Sequence, residues 1–373
     1  MYPAEAELKA LLDQKAEKTF PALAMAIGKG DKLIWQAAAG YADAKNHLRA
    51  TPETLFGIGS ITKVFVAVII LQLVEEGSLT LDAFLADWLA EESLAGVANA
   101  ETVTVRQLLA HYSGIPSWEN QQAWIYAARG REVKPDKIWL PEENLDFIRG
   151  KSPLCQPGEA FHYSNSNFTL LGLLIEKVTS HAFEEALRQR IIGPLRLKNT
   201  FLETSFSSGR KNLAKRFHRL DAHFIKNAGI SAYFKAEPGD LLDVSAVNLS
   251  VEWAAGGIVS TAQDVMTFIL ALKNGKLLNP ESMAAMQRWL PADSGEMGLS
   301  LFRINTDGGP ATGHGGNVLG ASACVWWYEK ANCAVALLTN VGSMHAAPEA
   351  DCASALFKNS AAGSLARQIA AHY

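Results

Sequence analysis

The chain has 373 residues, of which 49% are apolar and 19% charged, with a formal net charge of −4. That length supports a sizeable core in one large domain or two lobes, and the balance is ordinary for a soluble globular enzyme. No basic block marks a nucleic-acid partner, and no apolar run is long enough for a membrane span.

The opening, Met-Tyr-Pro-Ala-Glu-Ala-Glu-Leu-Lys, lacks the charged-then-apolar pattern of an export signal, so a cytoplasmic location is expected. It reads as an amphipathic helix to about residue 18. Two alternating apolar segments follow, residues 21–29 and 32–41. Gly30-Asp31 splits them, which predicts a β-hairpin.

Next comes Gly59-Ser60-Ile61-Thr62-Lys63, which opens an apolar run over residues 64–74. Ile61, Val64, Phe65, Val68, Ile69, Leu71 and Val74 recur at roughly helical spacing, and Gly77 is a cap candidate. Ser60 then sits at a helix N-terminus, where unpaired N–H groups favour negative charge. Lys63 lies one turn on, on the same side. A lysine at the start of an apolar helix is expected to be partly desolvated, which lowers its pKa and makes it a base for a neighbouring hydroxyl. The bland alternative is an N-cap serine beside a surface lysine. A second Ser-x-x-Lys, Ser208-Gly-Arg-Lys211, lies in a polar stretch with no apolar helix after it and reads as a solvated loop.

Residues from about 81 to 248 read as helix and loop. Within them, Gln156-Pro-Gly-Glu-Ala-Phe-His-Tyr163-Ser164-Asn165 places a tyrosine and an asparagine on a loop before an apolar helix over 168–178. Loops at such places often display binding groups. The alternative is a core ring and an N-cap. A helix over 262–272 ends at Lys273-Asn274-Gly275, an ordinary C-cap. Strands are predicted over 299–304, 321–328 and 333–340, the last two as a hairpin. Thr312-Gly-His314-Gly315-Gly316-Asn317 stands before that hairpin. Glycines there permit close approach of backbone to a ligand, or simply form a hairpin connection. Residues 358–372 form a candidate closing helix. Cys155, Cys324, Cys333 and Cys352 lack metal spacing and read as free thiols.

The ordered set Ser60-x-x-Lys63, Tyr163-x-Asn165, His314-x-Gly316 resembles the serine β-lactamase and penicillin-binding-protein superfamily. The similar branch is the class C β-lactamase-like group of esterases, D-amino-acid peptidases and amidases, and DD-peptidases. The segments 104–116, 192–200 and 255–265 resemble the family's connecting stretches, and the likeness runs from about residue 22 to 341. The resemblance implies an α/β fold, with an antiparallel sheet flanked by helices and an inserted, mostly helical lobe. Strands at both ends and helices between them agree with that. One serine hydrolase domain is expected, its α/β lobe from about 1–80 and 250–373 and its helical lobe from about 81–249.

By resemblance, Ser60 is the nucleophile that forms an acyl-enzyme. Lys63 and Tyr163 move its proton, Asn165 orients Lys63 and the substrate, and the N–H groups of Ser60 and Asn317 form the oxyanion hole. Neither metal nor cofactor is implied. His314-Gly315-Gly316 stands where β-lactamases of this family usually carry Lys-Thr-Gly, so strong β-lactam hydrolysis is not expected. An imidazole with an ordinary pKa is expected to charge near about pH 6 and partly replace that lysine. The favoured substrate is a small carboxylic ester, amide or peptide. A D-aminopeptidase, DD-peptidase or weak β-lactamase is the alternative. A penicillin sensor or an acyltransferase is the alternative of another class. Trp118, Trp124, Trp139, Trp253, Trp326 and Trp327 are candidates to line an acyl pocket, or else core. The pattern does not fix the oligomeric state.

Overall fold

The computed structural model describes residues 2–203 and 212–373. The Ser208–Lys211 motif therefore lies outside the described residues. The strands of the main sheet, in chain order, are β1 (Ala22–Lys29), β2 (Lys32–Asp43), β3 (Leu48–Arg49), β4 (Leu290–Ala292), β5 (Gly295–Met297), β6 (Phe302–Thr306), β7 (Gly309–Val318), β8 (Ala321–Tyr328) and β9 (Cys333–Thr339). Among the described residues this is one sheet of nine strands in the order β4-β5-β6-β7-β8-β9-β1-β2-β3. All its pairings are antiparallel. The helices that matter for the site are α1 (Pro3–Lys18), α2 (Thr62–Glu75), α3 (Ser166–Thr179), α4 (Trp253–Gly256), α5 (Ala262–Lys273), α6 (Ala353–Asn359) and α7 (Ala362–His372).

Period-two alternation sorts the central strands into two cores. Ala22, Ala24 and Ala26 of β1, with Ala323, Val325 and Trp327 of β8, face α5 and belong to the core that also holds α2. Leu23, Met25 and Ile27, with Cys324, Trp326 and Tyr328, face the terminal helices α1, α6 and α7. The alanine row lets α5 lie close. A Cβ on Gly28 would stand 2.7 Å from both Leu270 and Met266.

Helix α2 is buried on almost every side, from Thr62 through Leu71. Its sequence is nearly all apolar because helices α3 and α4 pack on it and Phe65 stacks on Phe268 of α5. The expected closing helix proves to be two, since Ser360 in extended backbone separates α6 from α7. The glycine-rich run 312–317 is the interior of strand β7, rather than a hairpin connection. Trp118, Trp124 and Trp327 are fully buried core rings, which removes them as pocket linings. Among the described residues no helix is long and apolar enough to cross a membrane.

Candidate active site

Ser60 lies in a short 3-10 turn, Gly59–Ile61, that feeds α2. Gly59 has φ +54°, a conformation that glycine adopts without penalty. Strand β7 presses on this turn so closely that neither contact face tolerates a side chain. A Cβ on Gly59 would lie 2.7 Å from the Asn317 nitrogen, and one on Gly316 would lie 3.0 Å from the Ser60 nitrogen. The backbone N–H groups of Ser60 and Asn317 thus border one seam. Strand β6 pairs with β7 only as far as Gly313, so among the described residues 314–318 have a strand partner on the β8 side alone. Such an open edge is a template for an extended ligand.

Lys63 is wholly buried. Its Nζ donates to Ser60 Oγ at 2.9 Å and to the Ala255 carbonyl of α4 at 2.6 Å. It also stands 5.1 Å from the Tyr163 ring centre and 5.2 Å from that of Phe168. Burial brings its pKa down to about 7, against the opposing pull of Glu119 and Glu252. The sequence predicted a partly desolvated lysine, and the desolvation is complete.

The Tyr163 hydroxyl is hydrogen bonded with Ser60, and burial raises its pKa well above that of a free phenol. The ring stacks on His111, with centroids 4.2 Å apart. His111 Nδ1 accepts the Ser164 N–H at 3.0 Å, which puts the imidazole proton on Nε2. Burial, then Lys63 and His314, hold His111 neutral. Asn165 departs from its expected partner. Its side chain bonds Glu119, while Lys63 is held by Ser60 and Ala255. The Asn165 Oδ1 is buried without a protein partner.

His314 requires a correction. It is buried, with Nδ1 against the Gly315 carbonyl and Phe302 edge-on at 5.1 Å. Burial first, and then the nearby Lys63, bring its pKa to about 3. It therefore stays neutral at pH 6 and does not stand in for the missing lysine there. Gly315 faces the opposite side of β7, toward Ser354. The Asn317 side chain is held by both donor and acceptor groups of Ser343, at 2.8 and 2.9 Å.

A second set of residues escaped the sequence reading. Glu119 is partly exposed as a residue, yet burial is the main cause that lifts its carboxyl to about 7. Lys63, Arg129 and the Asn165 hydrogen bond pull the other way. The segment that carries it is laced to the start of α3. The Trp118 N–H donates to Ser166 Oγ, Ser166 Oγ donates to the Pro116 carbonyl, and the Asn165 N–H donates to Ser117 Oγ. His345 Nε2 meets the Glu119 carbonyl oxygen at 3.1 Å. Behind Glu119, Arg129 and Glu252 form a buried ion pair, with the guanidinium 4.7 Å over the Trp124 ring. Backbone strain gathers here as well. His111, Trp253 and His345 have φ of 59°, 38° and 63°. Each such residue costs on the order of 1–3 kcal/mol and persists where its surroundings over-determine it.

The only local signal for these residues was position. Glu119 follows the matched segment 104–116 by three residues, and Ala255 opens the segment 255–265. Neither side chain belongs to a motif of fixed spacing.

Comparison with known proteins bears on the fold and the family. A D-stereospecific amidohydrolase from Streptomyces sp. superposes with TM-score 0.76 at 27% identity, covering 91% of this chain and 95% of that one. The D-amino acid amidase from Ochrobactrum anthropi SV3, complexed with L-phenylalanine, gives 0.80 at 25% identity over 98% of each chain. Protein flp of Staphylococcus aureus (strain MW2) is 31% identical over 189 residues, 50% of this chain and 36% of its own length. The aligned region thus spans little more than a third of that relative. The Beta-lactamase family profile matches residues 8–355, so the chain belongs to the Beta-lactamase family.

Proposed function

We propose that the protein is a serine hydrolase that cleaves amides, small peptides or esters of amino acids through an acyl-enzyme on Ser60. The observation that carries this is the buried Lys63, with a pKa near 7 and its Nζ 2.9 Å from Ser60 Oγ. A free amine there accepts the Ser60 proton at neutral pH. Tyr163 holds its own proton too firmly to be the resting base, so it acts as a relay.

Ser60 Oγ attacks the substrate carbonyl carbon as its proton passes to Lys63. The new oxyanion is taken by the Ser60 and Asn317 N–H groups, each contributing on the order of 3 kcal/mol. The C–N or C–O bond then breaks, and the leaving group takes a proton through Tyr163, which Lys63 replenishes. Water adds to the ester carbonyl, again giving a proton to Lys63, and as the Ser60–acyl bond breaks Lys63 returns that proton to Ser60 Oγ, releasing the acid and restoring the free hydroxyl and amine.

Glu119 supports an aminoacyl substrate. A carboxyl beside Lys63, bonded by Asn165, is suited to an ammonium group on the α-carbon, and such a cation favours its charged form. The structural relatives named for D-stereospecific and D-amino-acid amide chemistry favour the D enantiomer. The His-Gly-Gly run leaves no fixed cation for a β-lactam carboxylate. The test is a panel of D- and L-amino-acid amides, p-nitrophenyl esters and nitrocefin, with a fluorophosphonate label mapped by mass spectrometry. D-amino-acid amides turned over with labelling on Ser60 are expected. Preference for nitrocefin, or labelling at Ser208, would overturn the reading.

A further inference from the structure

Tyr163 stands on an irregular segment, residues 151–164, which holds neither helix nor strand. A proton relay must keep its hydroxyl within hydrogen-bond reach of two other atoms. A loop cannot hold a ring to that tolerance by itself, so the restraint must come from outside it. His111 grips three successive residues of this loop. Its carbonyl accepts the His162 N–H at 2.9 Å, its ring lies on the Tyr163 ring at 4.2 Å and 23°, and its Nδ1 accepts the Ser164 N–H at 3.0 Å. Phe302 is also nearly parallel to Tyr163, but its centroid is 6.4 Å away.

The side chain that makes this grip has particular chemistry. His111 is fully buried, with the rings of Phe161 and Phe168 at 6.0 and 5.3 Å, and its φ is 59°. That backbone region is disfavoured for most side chains and enriched in Asn, Asp and His. An asparagine would offer an acceptor without a ring, and a phenylalanine a ring without an acceptor. Imidazole offers both while Nδ1 carries no proton. An imidazolium would turn a second N–H toward the Ser164 N–H and break the contact. Burial and the nearby Lys63 keep the ring neutral. Nε2 has no hydrogen-bond partner among the described residues, so the polar part of the side chain's hold rests on Nδ1.

We infer that His111 is the positioning residue of the Tyr163 relay, its ring and Nδ1 together fixing the phenol so that the hydroxyl spans Ser60 and the departing atom of the substrate. The inference rests on the serine-hydrolase reading above, in which Tyr163 protonates the leaving group. Tyr163 gives its proton to the leaving nitrogen as the C–N bond breaks, Lys63 replaces that proton, and the imidazole gains and loses none. The consequence depends on the leaving group. An amide nitrogen must be protonated to leave, whereas p-nitrophenolate leaves as an anion. A displaced phenol therefore slows amides more than p-nitrophenyl esters, and a general loosening of the site slows both alike.

The test reads the ratio of kcat/KM for D-phenylalaninamide to that for p-nitrophenyl acetate. His111→Asn keeps an acceptor and tolerates the positive φ but removes the ring. It should lower the ratio about 10-fold or more, with the amide loss falling in kcat rather than KM and the fold retained by circular dichroism. His111→Phe keeps the ring and removes the acceptor, and it should lower the ratio in the same direction. Where the strained φ prevents that variant from folding, His111→Asn carries the test. Tyr163→Phe should lower the ratio further still. Adding His111→Asn to Tyr163→Phe should then change it by less than about twofold, because the histidine acts through the tyrosine. Equal losses on amide and ester in His111→Asn, or a loss that multiplies with that of Tyr163→Phe, overturn the positioning role and leave the relay standing. A ratio unmoved by Tyr163→Phe overturns the relay, and the positioning role with it. Should the wild type turn over the ester alone, the amide reading fails, and D-phenylalanine methyl ester, whose alkoxide also needs a proton, takes the amide's place in the same comparison. Turnover of none of these substrates overturns the Ser60 reading and the inference together.

Discussion

The two walls of the candidate site are built in opposite ways. The wall formed by α2 and β7 is mostly backbone and glycine, with Ser60 and Lys63 one turn apart and Gly59 and Gly316 pressed together. The wall formed by the segment around Glu119 is charge on charge. Glu119, Arg129 and Glu252 reach one place from three separate stretches, across loops held by serine and asparagine side chains. On the proposed reading, the first wall supplies chemistry through local geometry. The second sets the field in which that chemistry works, since Glu119 and Glu252 both hold the pKa of Lys63 up against burial.

The sharpest way to separate the walls is to remove the proposed base, Lys63. Lys63→Met keeps an apolar chain of similar length in a buried slot and deletes the amine. Loss of a general base costs about 10²–10⁴ in rate. We expect kcat/KM for p-nitrophenyl acetate to fall by at least about 10³, with the fold retained by circular dichroism. A loss below about tenfold would mean that Tyr163 or Glu119 serves as the base.

The opposite wall should break in stability first. Arg129→Met leaves Glu252 as an unpaired carboxylate at 3% exposure. Breaking a buried pair from one side costs about 3–5 kcal/mol, whereas replacing both partners with apolar groups is often near neutral. Urea unfolding should show that loss for Arg129→Met and a smaller one for Arg129→Met with Glu252→Leu. Equal losses would show that Glu252 has a further structural duty, such as leading into strained Trp253.

This contrast also explains what was legible in the sequence. Alternating apolar segments disclosed β1 and β2, and strand-like runs over 321–328 and 333–340 disclosed the hairpin of β8 and β9. The apolar run of α2 disclosed the central helix, and the spacing of Ser60 and Lys63 was one helical turn. Glu119 sits in a short 3-10 stretch and lies 56 residues from Lys63 and 59 from Ser60 in sequence. No periodicity encodes such an encounter. His314 was misjudged because a histidine between glycines reads as exposed, whereas the strand buries it beside Phe302.

Glu119→Gln should sharpen the comparison at smaller cost. If Glu119 holds the substrate ammonium, kcat/KM for D-phenylalaninamide should fall about 10- to 100-fold relative to p-nitrophenyl acetate. The pH profile gives a second readout. Lys63 must be neutral to act, so activity should rise as pH passes about 7. Glu119 and Lys63 titrate together, and the observed midpoint belongs to the pair. The Glu119 charge raises the Lys63 pKa, so Glu119→Gln should move the acid limb for p-nitrophenyl acetate to lower pH. A shift to higher pH would show that Glu119 does not act on Lys63 through its charge.

The smallest effect expected is no effect, at His314. The lysine that this position lacks would be a fixed cation for a substrate carboxylate. An imidazole of ordinary pKa would gain that cation as pH falls from 8 to 6, and nitrocefin would gain on esters over the same range. Here burial and the nearby Lys63 hold the His314 pKa at about 3, so its neutral form persists throughout. Both reactions share the Ser60–Lys63 limb, which cancels in their ratio. The ratio of kcat/KM for p-nitrophenyl acetate to that for nitrocefin should therefore stay within about twofold between pH 6 and pH 8. His314→Gln, which is neutral at every pH, should give the same flat line. A ratio that tilts toward nitrocefin by tenfold at pH 6 in the wild type, and not in His314→Gln, would show an imidazolium forming in the strand wall. It would place His314 among the charged groups of the site and remove the distinction between the two walls.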